Sequence, residues 1–485
     1  MPYFLIDFNM VKFELDTNES VPLTLVRKDE DIFILVDSKG DSKISLTFDG
    51  KNLQYINKEK IVESDESLRE KLDIFARQIL EQTYTGIETD NENEGTDDSE
   101  HDPFNPEEIS IDTKIIAMET LLRRLEQDTI RLNPNFQRKE VWNDERKSQL
   151  IESLILKIPI PMFYVSSDEK SNWTVVDGLQ RLSTIRDFVL GKEYLADPKN
   201  NKEKKGKGLR LKGLEFWKEL ENYNLNSLPT HLYNRVLETE FTFTIINPGT
   251  PEEVKRNIFK RLNTGGMPLS SQEIRNALYI GNATDLLNEL TATREFISAT
   301  GGSIKAQRME DKELILRFIA FIIRRYHTYK RTYNIDTWLS DTMIILNAFP
   351  NLDSREFIKN LRHGFINKED ITVLSEDTIK EKFILAMERS KKIFGNHAFR
   401  KSYPGQKRSP INKSLFETWG IILSELSDKE FLSLLHNKKN FMDEYKSVLS
   451  DATFAIAISR DSMKHLSVKY RFNTLLNLVN KYIYD

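Results

Sequence analysis

The chain has 485 residues, 39% hydrophobic and 30% charged, with a formal net charge of −5. That length exceeds one hydrophobic core and implies two to four domains at roughly 150 residues each. Cysteine is absent, which excludes a disulfide scaffold, a thiol nucleophile and a thiolate-held zinc.

The N-terminal stretch has no basic region ahead of its apolar residues and meets acids early, so it is a poor secretion signal. No uncharged apolar run approaches the roughly 18 residues of a membrane span. The sequence therefore predicts a cytoplasmic protein with no membrane partner.

Residues 1–84 read as a small β-rich module with a helix. Phe33–Val36 and Ile44–Phe48 are β-prone runs around the turn Asp37–Asp41, and Leu53–Ile56 follows a second turn. Leu68, Leu72, Phe75 and Ile79 then fall at helical spacing between Glu66 and Gln82. An acidic linker occupies residues 85–108, with ten carboxylates between Glu88 and Glu108 and no Lys or Arg. With so few apolar residues it cannot bury enough surface to order itself. Its sharper reading is a lid that imitates nucleic acid over a basic site.

Helix and strand patterns mix across residues 109–285. Ile111–Arg131 and Lys147–Leu156 are read as amphipathic helices, the second ended by Pro159 and Pro161. Met162–Val165 and Trp173–Val176 are adjacent strands joined by a polar turn. Leu179–Val189 is a helix, Phe241–Ile246 a strand and Pro251–Leu262 a helix. Residues 286–485 fit an all-helical domain.

Chemistry concentrates in three sets. In Val175-Val176-Asp177-Gly178-Leu179-Gln180-Arg181-Leu182-Ser183-Thr184 a strand ends in Asp-Gly and a helix begins at once. Such a turn aims first-turn amides and a helix dipole at an anion, and Arg181 adds a forked cation. Asp177 can hold a metal ion or position water. The plainer reading makes Asp177 a helix cap and Arg181 an ion-pair partner.

Before this set lies Asn133-Pro134-Asn135-Phe136-Gln137-Arg138-Lys139-Glu140-Val141-Trp142, rich in donors at Gln137 and Arg138, with Phe136 and Trp142 read as core. After it comes Asn263-Thr264-Gly265-Gly266-Met267-Pro268-Leu269-Ser270, a sharp reversal leading to a helix with Glu273 at capping-box distance from Ser270.

Together, and in this order, the three sets resemble the ParB/sulfiredoxin-like domain at the N-terminus of GmrSD-type restriction enzymes, with Leu179 where the family usually has Gln. The resemblance spans roughly residues 112–285. It implies a ParB/sulfiredoxin-like central domain, which with the small N-terminal module and the helical C-terminal domain read above makes an α+β protein. It further implies a nucleoside triphosphate bound with Mg²⁺. Asp177, Gln180 and Arg181 would be catalytic, with Asp177 also the metal ligand. Gln137, Arg138, Gly178, Thr184, Asn263 and Thr264 would contact the nucleotide.

The function so implied is DNA defence, with triphosphate hydrolysis coupled to recognition of foreign or modified DNA. The alternatives are a non-catalytic sensor acting with a separate nuclease subunit, and direct nicking of DNA. The seven histidines are scattered singly, and no His-Asn-His nuclease centre is recognisable. Self-association stays open.

Two basic runs are candidates for DNA contact. Lys199–Lys212 reads as a mobile loop. Arg389–Lys413 holds eight Lys and Arg with no acid, interleaved with Phe394, Phe399 and Tyr403. Within the second run, Arg400, Lys401, Lys407 and Arg408 are the expected contacts.

Overall fold

The computed structural model describes residues 11–14, 20–27, 32–36, 42–49, 52–58, 65–85, 87–88, 110–132, 142–250, 254–255, 258, 270–304, 308–331, 333–354, 357, 366–373, 375–459 and 462–483. Contacts divide the chain into two compact units, Met1–Ser99 with Gly281–Asp485, and Glu100–Ile280.

In the first unit, β1 (Val11–Glu14), β2 (Ser20–Arg27), β3 (Ile32–Val36), β4 (Ser42–Phe48) and β5 (Leu53–Lys58) form an antiparallel sheet in chain order. Alternate residues Leu23 and Leu25, Phe33 and Leu35, and Ile44 and Leu46 share one buried face. Helix α1 (Asp65–Thr85) covers it with Leu68, Leu72, Phe75 and Ile79, the one helical face its spacing provides. Burying each of these side chains fully contributes about 1.5–3 kcal/mol.

The second unit holds a mixed sheet. Its strands are β6 (Ile111–Ala117), β7 (Ile130–Arg131), β8 (Phe163–Ser167), β9 (Trp173–Asp177) and β10 (Glu240–Ile246), in the order β6-β10-β8-β9-β7. Helices α2 (Met118–Glu126), α3 (Asp144–Ile155), α4 (Leu179–Val189), α5 (Lys192–Ala196), α6 (Thr230–Leu237) and α7 (Ser271–Leu278) accompany it.

The single helix expected over Ile111–Arg131 is instead strand, helix and strand. Ile111, Thr113, Ile115 and Ile116 are β-branched and pair antiparallel with β10, and the helix starts only at Met118. Because β6 is an edge strand with its residues mostly exposed, no apolar alternation marks it. Most of the helix expected at Pro251–Leu262 lies outside the described residues.

The C-terminal part of the first unit is helical, as the sequence predicts: α8 (Asn282–Thr291), α9 (Arg294–Thr300), α10 (Glu310–Ile323), α11 (Ile335–Ala348), α12 (Glu376–Phe394), α13 (Lys413–Glu425), α14 (Asp428–His436), α15 (Lys438–Ser450), α16 (Ala452–Ala457) and α17 (His465–Ile483). A buried ionic chain ties elements of this part together. Arg471 pairs with Glu417, Glu417 lies 3.6 Å from Arg317, and Arg317 and Lys413 both reach Glu313 at 3.1 and 3.0 Å.

Candidate functional site

Strand β9 is anchored by buried Val175 and Val176, and α4 by buried Leu182, Ile185 and Phe188. Gly178 joins the two in a left-handed conformation, φ 95°. A side chain there is excluded twice over. The backbone is strained for any L-residue, and a Cβ would sit 2.4 Å from Phe163 Cδ1 and 3.1 Å from Arg181 Nη2. The glycine thus lets the turn close over the Phe163 ring. Gly178, the N-cap of α4, brings no side chain to the first-turn amides, and the positive end of the helix dipole lies at the tip of β9.

Arg181 folds back across this turn. Its Nη2 donates to Asp177 Oδ2 at 2.9 Å and to the Met162 carbonyl at 3.3 Å, and its Nη1 to the Pro161 carbonyl. The guanidinium lies over the Phe163 ring, 4.7 Å from its centroid. Burial pulls its pKa below the usual arginine value, while Asp177 acts in the opposite direction. The Arg181 side chain is 12% exposed and that of Asp177 is 38% exposed. Asp177 is therefore an ion-pair partner one helical turn from Arg181, with part of its carboxylate open to solvent.

Gln180 faces the first set: its Oε1 accepts from the Trp142 amide at 3.4 Å. Thr184 is fully buried and donates to the Gln180 carbonyl at 2.7 Å, so it braces α4 and presents no hydroxyl to a ligand. Leu179 is buried as well, which explains how an apolar side chain stands at that position. Trp142, expected in the core, is only half-buried, with the Arg146 guanidinium over its ring at 4.8 Å. Asn143 caps α3 by accepting from the Arg146 amide. Gln137, Arg138, Asn263 and Thr264 lie outside the described residues.

The third set reaches the same place through its helix. Ser270 and Glu273 form the expected capping box, with bonds of 3.2 and 2.7 Å, and α7 packs against β9. Gln272, Glu273, Arg275 and Asn276 are buried on α7. Arg275 Nη1 donates to Gln272 Oε1 at 2.6 Å, and Gln272 Nε2 to Asn276 Oδ1 at 2.8 Å. The sequence places these residues on a helix but gives no sign that their polar groups turn inward. Nor does it mark Glu152, whose buried carboxylate accepts the amides of Glu215, Phe216 and Trp217 at 2.7–3.0 Å and pins that loop to α3. Among the described residues no group of three or more His, Cys, Asp or Glu could hold a metal ion.

The expected DNA contacts separate into two kinds. Arg400 is 3% exposed, and its guanidinium donates to the carbonyls of Thr300 and Ser409 and to Ser303 Oγ. Lys401 is bound to Ser459 Oγ at 2.6 Å and to Glu88 at 3.0 Å. Both are turned into the fold, which corrects their reading as surface contacts. Lys407 and Arg408 are exposed. Phe394 and Phe399 are core residues, so neither offers a stacking face. In the other basic run, Lys204, Lys205 and Lys212 pair with Glu193, Glu126 and Asp144.

Among the described residues no helix is long and apolar enough to cross a membrane. No curated protein and no solved structure matches the chain. Residues 118–280 match the family model described as the GmrSD restriction endonuclease, N-terminal domain. That segment runs from the start of α2 past the end of α7, and so contains the Asp177–Arg181 turn and the elements around it. Residues 118–280 are a member of the GmrSD restriction endonuclease N-terminal domain family.

Proposed function

We propose that this is a restriction-type defence protein whose central ParB/sulfiredoxin-like domain binds a nucleoside triphosphate with Mg²⁺ at the Asp177–Arg181 turn and hydrolyses it, coupled to recognition of foreign or modified DNA. The observation that carries this reading is convergence. The helix of the third set packs on β9, the strand that leads into the turn, and the first set touches Gln180, in the first turn of α4, through the Trp142 amide.

In this reading the α4 amides and Gly178 receive phosphate oxygens. Arg181, held by Asp177 and two carbonyls, is a preorganised positive charge beside them. The open part of Asp177 fits a hydrated Mg²⁺, which is commonly held by one or two carboxylates together with substrate phosphates. Bound there, Mg²⁺ would supply charge neutralisation on those phosphates. Gln180 would orient the attacking water, and Gln137, Arg138, Asn263 and Thr264 would complete the walls.

A second reading has one observation in its favour. The Asp177 carboxylate is already paired with Arg181 at 2.9 Å, which suits a sensor that binds nucleotide without turning it over and acts with a separate nuclease. Phosphate release from a panel of nucleoside triphosphates, with and without modified DNA, tests both. Hydrolysis abolished by Asp177→Asn and by Arg181→Ala, with folding retained, supports the enzyme. Binding without release supports the sensor, and no nucleotide bound at millimolar concentration overturns both.

A further inference from the structure

We propose that the groove between the end of α12 and the start of α15 is a binding surface for the phosphate backbone of duplex DNA. The proposal rests on the DNA part of the function proposed above and assigns it a place. The groove encloses about 360 Å³, with Phe394, Pro404 and Met442 among its apolar lining and Lys438, Lys439 and Lys446 contributed by α15.

Its two sides are fixed to each other. Phe394 packs on Phe441 and Tyr445 at ring separations of 6.2 and 5.4 Å, and Lys438 Nζ donates to the Lys392 carbonyl at 2.7 Å. Charge is concentrated there. Lys391 and Lys392 end α12, and Lys438 and Lys439 begin α15, whose first turn holds no acid and whose N-cap Asn437 turns its side-chain amide to the Tyr482 carbonyl, not to the first-turn amides. Cations at a helix N-terminus are opposed by the helix dipole, and an arriving anion relieves both that repulsion and the repulsion among the lysines. Among the described residues the carboxylates paired with these lysines are Asp443, itself part of the lining and 2.8 Å from Lys446, and Glu388, 3.9 Å from Lys392.

The chemistry selects a phosphate backbone. Lysines act as point charges on flexible stems and suit phosphates better than base edges, and they are spread over two helices. The groove does not offer a stacking platform for unpaired bases. Phe394 is buried, and Lys446 lies 5.4 Å from the centroid of the Tyr403 ring, over its face. Duplex DNA is therefore the partner we assign.

The test is binding of the full chain to duplex DNA, followed by fluorescence anisotropy across about 50 to 200 mM salt. The variant Lys438→Gln/Lys439→Gln/Lys446→Gln should reduce the slope of log K against log salt by about 0.9 for each phosphate it no longer neutralises, and weaken binding on the order of tenfold or more at the lowest salt. Lys-to-Arg replacements at the same positions should restore both. Lys330→Gln, at an exposed position outside both basic runs, should behave as the unaltered chain. Should the triple variant fold poorly, Lys439→Gln alone, at an exposed position, should still lower the slope by about 0.9. An unchanged slope overturns the groove while leaving DNA recognition standing. Absence of DNA binding by the unaltered chain overturns both, and tighter binding of single strands or duplex RNA overturns the assignment to duplex DNA.

Discussion

Replacing Gly178 by alanine isolates what holds the turn in shape. At φ 95° an L-residue in the left-handed region costs about 1–2 kcal/mol. The added Cβ would also lie 2.4 Å from Phe163 Cδ1. That ring cannot move aside easily, because it is buried, stacks on Phe243 at 5.0 Å and carries the Arg181 guanidinium at 4.7 Å. Overpacking of this kind costs about 1–3 kcal/mol, so Gly178→Ala should destabilise the second unit by about 2–5 kcal/mol in all. The two causes separate in a double-mutant cycle with Phe163→Leu, which gives the methyl room but leaves the backbone strain. The double variant should regain the steric part, a coupling of about 1–3 kcal/mol. Urea unfolding of the full chain, with hydrogen exchange resolved over residues 163–185, reads this out. A cost below about 1 kcal/mol, or additive effects, would refute the reasoning.

Glu152→Gln keeps the shape of a buried side chain but turns an NH₂ towards amides that the carboxylate accepts; we expect a loss of about 2–4 kcal/mol and faster exchange of the 215–217 amides. Arg471→Met leaves Glu417 buried opposite the remaining Arg317, and unfolding of the helical part should become easier by about 3–5 kcal/mol in denaturant titration. His397 has its pKa lowered by burial, then by Arg400 and Arg408. Its folded value thus lies below the unfolded one, so its contribution is whole above about pH 6.5 and is lost as the pH falls through that value towards the lower folded one. The unfolding midpoint should drop across that window, and less so in His397→Gln.

The sequence was most legible where local chemistry and tertiary packing agree. Helix α4 runs from Leu179 to Val189 as its pattern predicts, because Gly178 sets its start and Leu182, Ile185 and Phe188 supply one apolar face. Strands β8 and β9 and the Ser270 capping box were legible for the same reason. Strand β6 was not, since an exposed edge strand needs no alternation and its isoleucines also satisfy a helical spacing. At the candidate site, the sequence identified Asp177 and Arg181 but not how they pair, nor that Phe163, from another strand, sits beneath them. The direction of a side chain was likewise invisible in the basic runs. Arg400 and Lys401 read like Lys407 and Arg408, and only the packing of Thr300, Ser303 and Glu88 around them turns the first two inward.

Binding of nucleotide phosphates at the opening of α4 is tested most directly by amide hydrogen exchange of the full chain, with and without a nucleoside triphosphate and Mg²⁺. Protection should appear in peptides covering residues 174–185 and vanish in Arg181→Ala. Nucleotide binding that leaves those amides unchanged would contradict the proposed site.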